Sequence, residues 1–555
     1  MSRPMTTIEF TDDVKDRCPA GQVLLASLVM MTLGVGAQGL ENPIPGSGLP
    51  THLELVVQGL GEDDNALHAF YRARDFELVW LGDDPSSRPR LQALTLALDA
   101  AETHGIPATF IRRDDLHGLV VDPEEPLAVA MADVEISRIY LDYARILNTG
   151  LLEPADLSER IAIRKNTHLD DLGLLDGIVG TNPATFLADL APQQPAYDAM
   201  RVALQTMRET LARGGWGDIV RAESLEPGQS GGAVIDLRNR LIRMGYLSRT
   251  ASPNYDLPLM QAVQAFQVEH GIEMTGIADA HTLASVNVSA QERLQQLVSS
   301  LERMRWRQVD EAEKTIIVNI PEFMARVYTD GEVLFETNVV VGKTDDDLQT
   351  PEFSDHMEYV VINPDWNVPH SIIAKEILPE MIEGKNDWQE IQFLDGNRLP
   401  VNRSRIDFDA FQAGERFPFG ARQLPGPTNP LGNVKFMFPN RHNIYLHDSP
   451  MRKYFERQTR TYSHGCVRVM KAHSLARKLL VNQGVDYDSL VIATRGTHDQ
   501  VHVYLRERIP VHITYQTVLH NGDGQITFRD DVYGRDKLIY DSIFNGGTAN
   551  NQVSG

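Results

Sequence analysis

The chain has 555 residues, with 76 acidic side chains against 52 Lys and Arg and a formal net charge of −24. That length gives room for two to four domains with sizeable cores. The acids are spread along the whole chain, which argues against nucleic acid and anionic membrane surfaces as partners.

The N-terminus reads as an export signal. Lys15, Asp16 and Arg17 precede an uncharged stretch from Pro19 to Leu40, whose apolar centre is VLLASLVMMTLGV. Val35-Gly36-Ala37 then offers the small-residue pattern that signal peptidase cuts, so residues 1–37 are expected to be removed. An uncleaved anchor is the alternative, although the apolar centre is short for a bilayer span. Cleavage would also remove Cys18 and leave Cys466 as the one cysteine of the mature chain. A lone thiol in an oxidising compartment is either a small buried apolar residue or a working one.

Residues 45–225 read as a helical scaffold. In SRIYLDYARILNTGLL, Ile139, Tyr143, Ile146 and Leu147 share one face and Gly150 stops the helix. A break at EPGQSGG opens a unit over 226–290 with three short helices. Val234, Leu237, Leu241 and Met244 stripe the first, and Leu259, Val263 and Phe266 the second. Residues 291–312 form a connecting helix with Leu294, Leu297, Leu301 and Met304 on one side. From 313 the texture turns to strands, and Asp330-Gly331 marks a hairpin. A helical insertion over about 369–424 interrupts the sheet, which resumes at NVKFMF and NIYLH. After 495 the chain reads as a β extension to 545, and 546–555 as a disordered tail.

The chemistry gathers in TYSHGCVRV, residues 461–469. A nucleophilic cysteine needs a base or a cation in reach, because the thiolate is the reactive form. His442, His447 and His464 are near in sequence. His447 ends an apolar strand, and the fifteen residues between it and Ser463 can loop it back beside Cys466. Gly465 permits a tight turn, so its amide and that of Cys466 are candidates for an oxyanion hole. His464 would brace the turn or assist the base. Arg468, on the cysteine's face of an extended segment, suits a substrate carboxylate. A metal site on His447, Asp448, His464 and Cys466 is the rival reading, yet no zinc-type spacing is present.

HDSPMRKYFERQTRTYSHGCVRV resembles the signature of the YkuD-type L,D-transpeptidase catalytic domain: a histidine, a loop, then Ser-His-Gly-Cys. RQLPGPTNPLGNVKFMFPNRHNIYLHDSP and INPDWNVPHSI are similar to the larger YcbB-type branch. AVQAFQVEHGI with Thr282 resembles a three-helix peptidoglycan-binding domain, with Thr275 and Asp279 where aspartate and glycine are more frequent. The resemblance implies a multidomain α+β protein: helical scaffold, small wall-binding-like domain, and a mostly β sandwich over 313–495 with a capping insertion. It implies Cys466 as nucleophile and His447 as general base, oriented by the backbone carbonyl of Asp448. The substrates implied are peptidoglycan stem peptides, donor and acceptor, in the periplasm of a Gram-negative-type bacterium. The product is a 3-3 cross-link, no cofactor is needed, and carbapenems are expected covalent inhibitors. Arg468, Ser463, Tyr445, Trp366 and Asn433 are candidate substrate contacts. Two other readings stay open: a non-catalytic wall-binding scaffold, and a carboxypeptidase or hydrolase of the same fold.

Overall fold

The computed structural model describes residues 49–120, 125–165, 169–180, 182–306, 314–385, 388–411, 417–481, 483–522 and 524–545. The expected signal segment, with Cys18, and the tail 546–555 lie outside them.

Helices Pro126–Thr149 and Pro195–Ala212 anchor the N-terminal helical region, and Gly150 ends the first at φ 82°. Their apolar faces meet Phe70, Tyr71, Trp80 and Leu94 in one cluster. Asp133 is buried in that cluster and accepts the amides of Val79, Trp80 and Leu81 at 2.7–3.0 Å, so its charge is spread over three donors. The next unit holds helices Gly232–Met244, Leu257–Glu269 and Ala280–Asn287 around its own small core. Asp256 and Asp279 cap the last two by accepting the amides of Leu259 and Thr282.

Helix Ala290–Trp306 departs from the amphipathic expectation. Leu297 and Leu301 are buried, but so are Arg293, Ser299, Glu302, Arg303 and Arg305. The reason lies far along the chain: helix Arg535–Asn545 packs on its other side. Ile539 and Ile543 of that helix complete the scaffold's apolar cluster.

The remaining chain supplies β1 (Thr315–Asn319), β2 (Met324–Thr329), β3 (Glu332–Gly342), β4 (Phe353–Ile362), β5 (Trp366–Asn367), β6 (Ile391–Leu394), β7 (Pro400–Val401), β8 (Gly420–Gln423), β9 (Val434–Met437), β10 (Leu446–His447), β11 (Thr461–Ser463), β12 (Val467–Val469), β13 (Val501–Thr514), β14 (Val518–His520) and β15 (Ile526–Phe528). The main sheet has nine strands in the order β11-β3-β12-β10-β9-β4-β13-β1-β2, and β2 pairs back to β3. Every strand of it but β11 therefore lies on a closed ring, which leaves few free edges. Asp330 and Gly331 both take positive φ in the β2–β3 hairpin, the twist that tight hairpins require. β13, expected as part of an appended extension, runs between β4 and β1 and completes the ring. The segment then ends in helix Arg535–Asn545 rather than in strand. The inserted cap has its own core around Trp366, Ile373, Phe393 and Phe417, and a four-stranded sheet in the order β5-β8-β6-β7 beside its helical turns.

Candidate active site

Cys466 sits in a turn between two strands that both pair with β3. Gly465 makes the turn at φ 108°, and an added Cβ there would meet Ile444 Cδ1 at 3.2 Å. The turn is stapled from inside. Ser463 is buried; its Oγ donates to the Cys466 carbonyl at 2.5 Å and accepts the Gly465 amide at 3.1 Å. Thr350 donates from Oγ1 to the Gly465 carbonyl at 2.7 Å and accepts the Gly342 amide at 2.9 Å. Two expectations change as a result. Ser463 is occupied in holding the turn rather than open to substrate. The Gly465 amide, expected to face an oxyanion, is spent on Ser463, which leaves the Cys466 amide as the turn's available donor.

His447 reaches the same face through register. On β10, Leu446 pairs with Val467 of β12 and with Phe436 of β9, and all three enter the core. Alternation then puts Tyr445, His447, Arg468 and Lys435 on the other face, with Cys466 at its edge. His447 lies in one row between Arg468 and Lys435. Its Nδ1 bonds the Asp448 carbonyl, which makes Nδ1 the protonated nitrogen and leaves the Nε2 lone pair for a base.

Burial, with Arg468 second, pushes the His447 imidazole down to about 3, against the pull of its Asp448 bond. Burial also raises the half-buried Cys466 thiol, while Tyr445, Lys435 and Arg468 each favour the thiolate. At rest the thiol and the imidazole are therefore both neutral. The sulfur lies 3.7 Å from the Asn443 carbonyl, within a thiol's donor range.

The other expected residues divide. Arg468 is half-buried, 3.6 Å from the Met451 sulfur and with its guanidinium 5.8 Å from the Tyr454 ring centre. Asp448 is buried; its carboxylate takes Arg452 at 2.8 Å and the Asn433 amide at 3.1 Å, so Asn433 serves this strand by its backbone while its side chain is exposed. Trp366 is buried in the cap's apolar core, paired across β5 and β8, because its large ring is what that small core needs. Tyr445 packs against the same cap core and stands 5.7 Å, centre to centre, from His447. The four residues of the metal reading do not converge: His464 turns to Glu376 and Asp448 to Arg452. Among the described residues no three of His, Cys, Asp and Glu are gathered as ligands.

Sequence reasoning missed Lys435, Thr350 and Glu376. Lys435 carried a signal, since a lysine between Val434 and Phe436 must leave the core face of its strand. Glu376 carried none. It lies on the single π-helical turn of the cap, Ile373–Ile377, and its carboxylate meets Nε2 of His464. The neighbouring Lys375 pairs with Asp347, so two adjacent cap residues are tied, one to the Cys466 turn and one to the segment between β3 and β4. The Lys375–Asp347 pair is exposed, and the partly exposed Glu376–His464 pair contributes about 0–1 kcal/mol. Glu376→Gln is therefore expected to raise hydrogen exchange over residues 370–382 by no more than about fivefold. A larger change would mean that this pair holds the cap shut almost alone.

Residues 313–495 match the family described as L,D-transpeptidase catalytic domain. This part of the chain is similar to L,D-transpeptidase catalytic domains. Residues 65–204 match the family described as a scaffold domain, and 230–286 one described as "Putative peptidoglycan binding domain". A curated protein from Haemophilus influenzae, named "Putative L,D-transpeptidase", is 34% identical over 245 residues. The match covers 43% of this chain and 48% of that protein, about half of each. Among solved structures, an L,D-transpeptidase from Xylanimonas cellulosilytica is 16% identical with a TM-score of 0.18, covering 54% of this chain and 100% of that one. One from Stackebrandtia nassauensis is 15% identical with a TM-score of 0.20, covering 54% and 97%. No described helix of the chain is long and apolar enough to cross a membrane.

Proposed function

We propose that the protein is a peptidoglycan L,D-transpeptidase of the YcbB-type branch, acting outside the cytoplasmic membrane in the periplasm. One observation supports this most: Cys466 and His447 stand on one face of paired strands, and among the described residues nothing bonds Nε2 of His447. The Cys466 sulfur attacks the carbonyl of the third residue of a tetrapeptide stem while Nε2 takes the thiol proton. The Cys466 amide meets the oxyanion. Collapse expels the amine of the terminal D-alanine, which receives the proton from Nε2 and leaves a thioester. A side-chain amine of an acceptor stem then attacks, gives its proton to Nε2, and displaces the thiolate. One amide replaces another, so the exchange is near balance and no cofactor is required. Arg468, with no carboxylate partner among the described residues, suits the donor's terminal carboxylate. The cap would exclude water from the thioester. Carbapenems, which acylate such cysteines, are expected to inhibit.

Mass spectrometry of digested sacculi incubated with the enzyme tests this reading. The expected products are free D-alanine and dimers joined through two third-position residues. Tripeptides without dimers would instead identify a hydrolase. Unchanged sacculi that still retain the protein would identify a wall-binding scaffold.

A further inference from the structure

The reaction needs the sulfur to change from donor to acceptor. At rest the thiol faces the Asn443 carbonyl at 3.7 Å. A thiolate can donate nothing, and that carbonyl would repel it. Some donor must take the carbonyl's place as the proton leaves for His447.

Tyr445 is placed to do so. It stands one residue before the Leu446–Val467 pair, which sets it opposite Cys466, and its carbonyl accepts the Val467 amide at 3.1 Å. Its hydroxyl is a hydrogen-bond partner of the sulfur, and so is its backbone amide. Such bonds commonly tighten only as charge develops. Burial keeps the phenol protonated, far above its ordinary range, so it remains a donor.

Lys435 supplies the second observation. Its ammonium rests 3.8 Å from the Tyr445 ring centre. It is half-buried, and no carboxylate pairs with it among the described residues. An ammonium withdrawn from water without a counter-charge is costly, and the ring face offsets part of that cost. A cation on the face of a phenol also draws density from its oxygen and makes the hydroxyl a stronger donor. The groups facing the sulfur are thus Tyr445, just before β10, Lys435 from β9 and Arg468 from β12; His447 shares their face, and His464 of the turn is engaged by Glu376 of the cap.

We propose that Tyr445 is a further catalytic residue, whose hydroxyl receives the charge of the Cys466 thiolate, and that Lys435 is a positioning residue polarising it through the ring face. The proposal rests on Cys466 being the nucleophile and on nothing about the substrate.

The test is the pH dependence of Cys466 alkylation by iodoacetamide, read by mass spectrometry on the Cys466 peptide of the full chain. Tyr445→Phe and Lys435→Met are each expected to move the midpoint up by about one pH unit, which is about a tenfold slower reaction at neutral pH. Lys435→Arg should keep the wild-type profile, since it restores the cation. Lys435→Met in the Tyr445→Phe background should add less than about twofold, because the lysine acts through the ring. An unmoved profile in Tyr445→Phe overturns the proposal, even with cross-linking lost, because the residue would then be merely structural. A lysine effect undiminished without the hydroxyl overturns the relay. If the profiles shift as expected while wild-type enzyme leaves sacculi unchanged, the peptidoglycan reading fails and this one stands.

Discussion

Cys466→Ala is expected to form no thioester with a tetrapeptide stem and to release no D-alanine, measured by intact-protein mass spectrometry. His447→Ala should keep the thiol but lower acylation by about 10²–10⁴-fold, the usual worth of a positioned base. The pH profile separates this pair from a preformed thiolate–imidazolium pair. A base is useful only while neutral, and burial holds His447 down to about 3. Lowering the pH from 8 to 5 therefore leaves the imidazole neutral, and kcat/KM for acylation should stay nearly level. An imidazole at its ordinary value near 6.5 would lose more than about tenfold over that interval. The thiol, raised by burial, sets the limb at high pH instead. A tenfold fall between pH 7 and 5 with the fold intact would show that the imidazole is far better solvated during turnover.

The candidate nucleophile was legible because its signal is local. Ser463 to Cys466 and the preceding His447 lie within one short stretch, and glycine at 465 announces a backbone that only glycine takes comfortably. What surrounds the sulfur was not legible, because it arrives by register. Lys435, His447 and Arg468 form a row only because three separate strands pair as they do. Thr350 reaches Gly465 across 115 residues and Glu376 reaches His464 across 88, and no periodicity records such distances. The same holds for the fold. The hairpin at Asp330-Gly331 shows in two residues, whereas β13 joins β1 in parallel, which requires a long crossover with no turn residue to mark it. Trp366 misled because an aromatic beside a site reads as a contact until a second small core is seen to need it.

The second large effect lies beneath the turn. Arg303 of helix Ala290–Trp306, Arg535 of the C-terminal helix, Glu352 and Asp536 are all buried together. Glu352 accepts from Arg535 at 3.0 Å and faces Arg303 at 3.5 Å, while Asp536 pairs with Arg303. Both guanidiniums also lie about the Tyr515 ring, at 5.0 and 5.1 Å. The backbone of Glu352 bonds Arg160 and Ala162 of the helical region, so one residue joins both parts of the molecule. Arg535 goes on to the Thr350 carbonyl at 2.9 Å, and Thr350 holds Gly465. Removing one carboxylate leaves two buried arginines against a single Asp536. Breaking a buried pair in this way costs about 3–5 kcal/mol, far more than the pair's net worth, because the stranded charge stays out of water. Glu352→Ala is thus expected to lower the urea midpoint of the catalytic domain sharply. It should also speed proteolysis between residues 150 and 165, where the scaffold loses its anchor. Glu352→Gln keeps an acceptor for Arg535 without the charge, and should fall between alanine and wild type. If alanine costs under about 1 kcal/mol, water must reach these arginines, and the cluster does not brace the Cys466 turn.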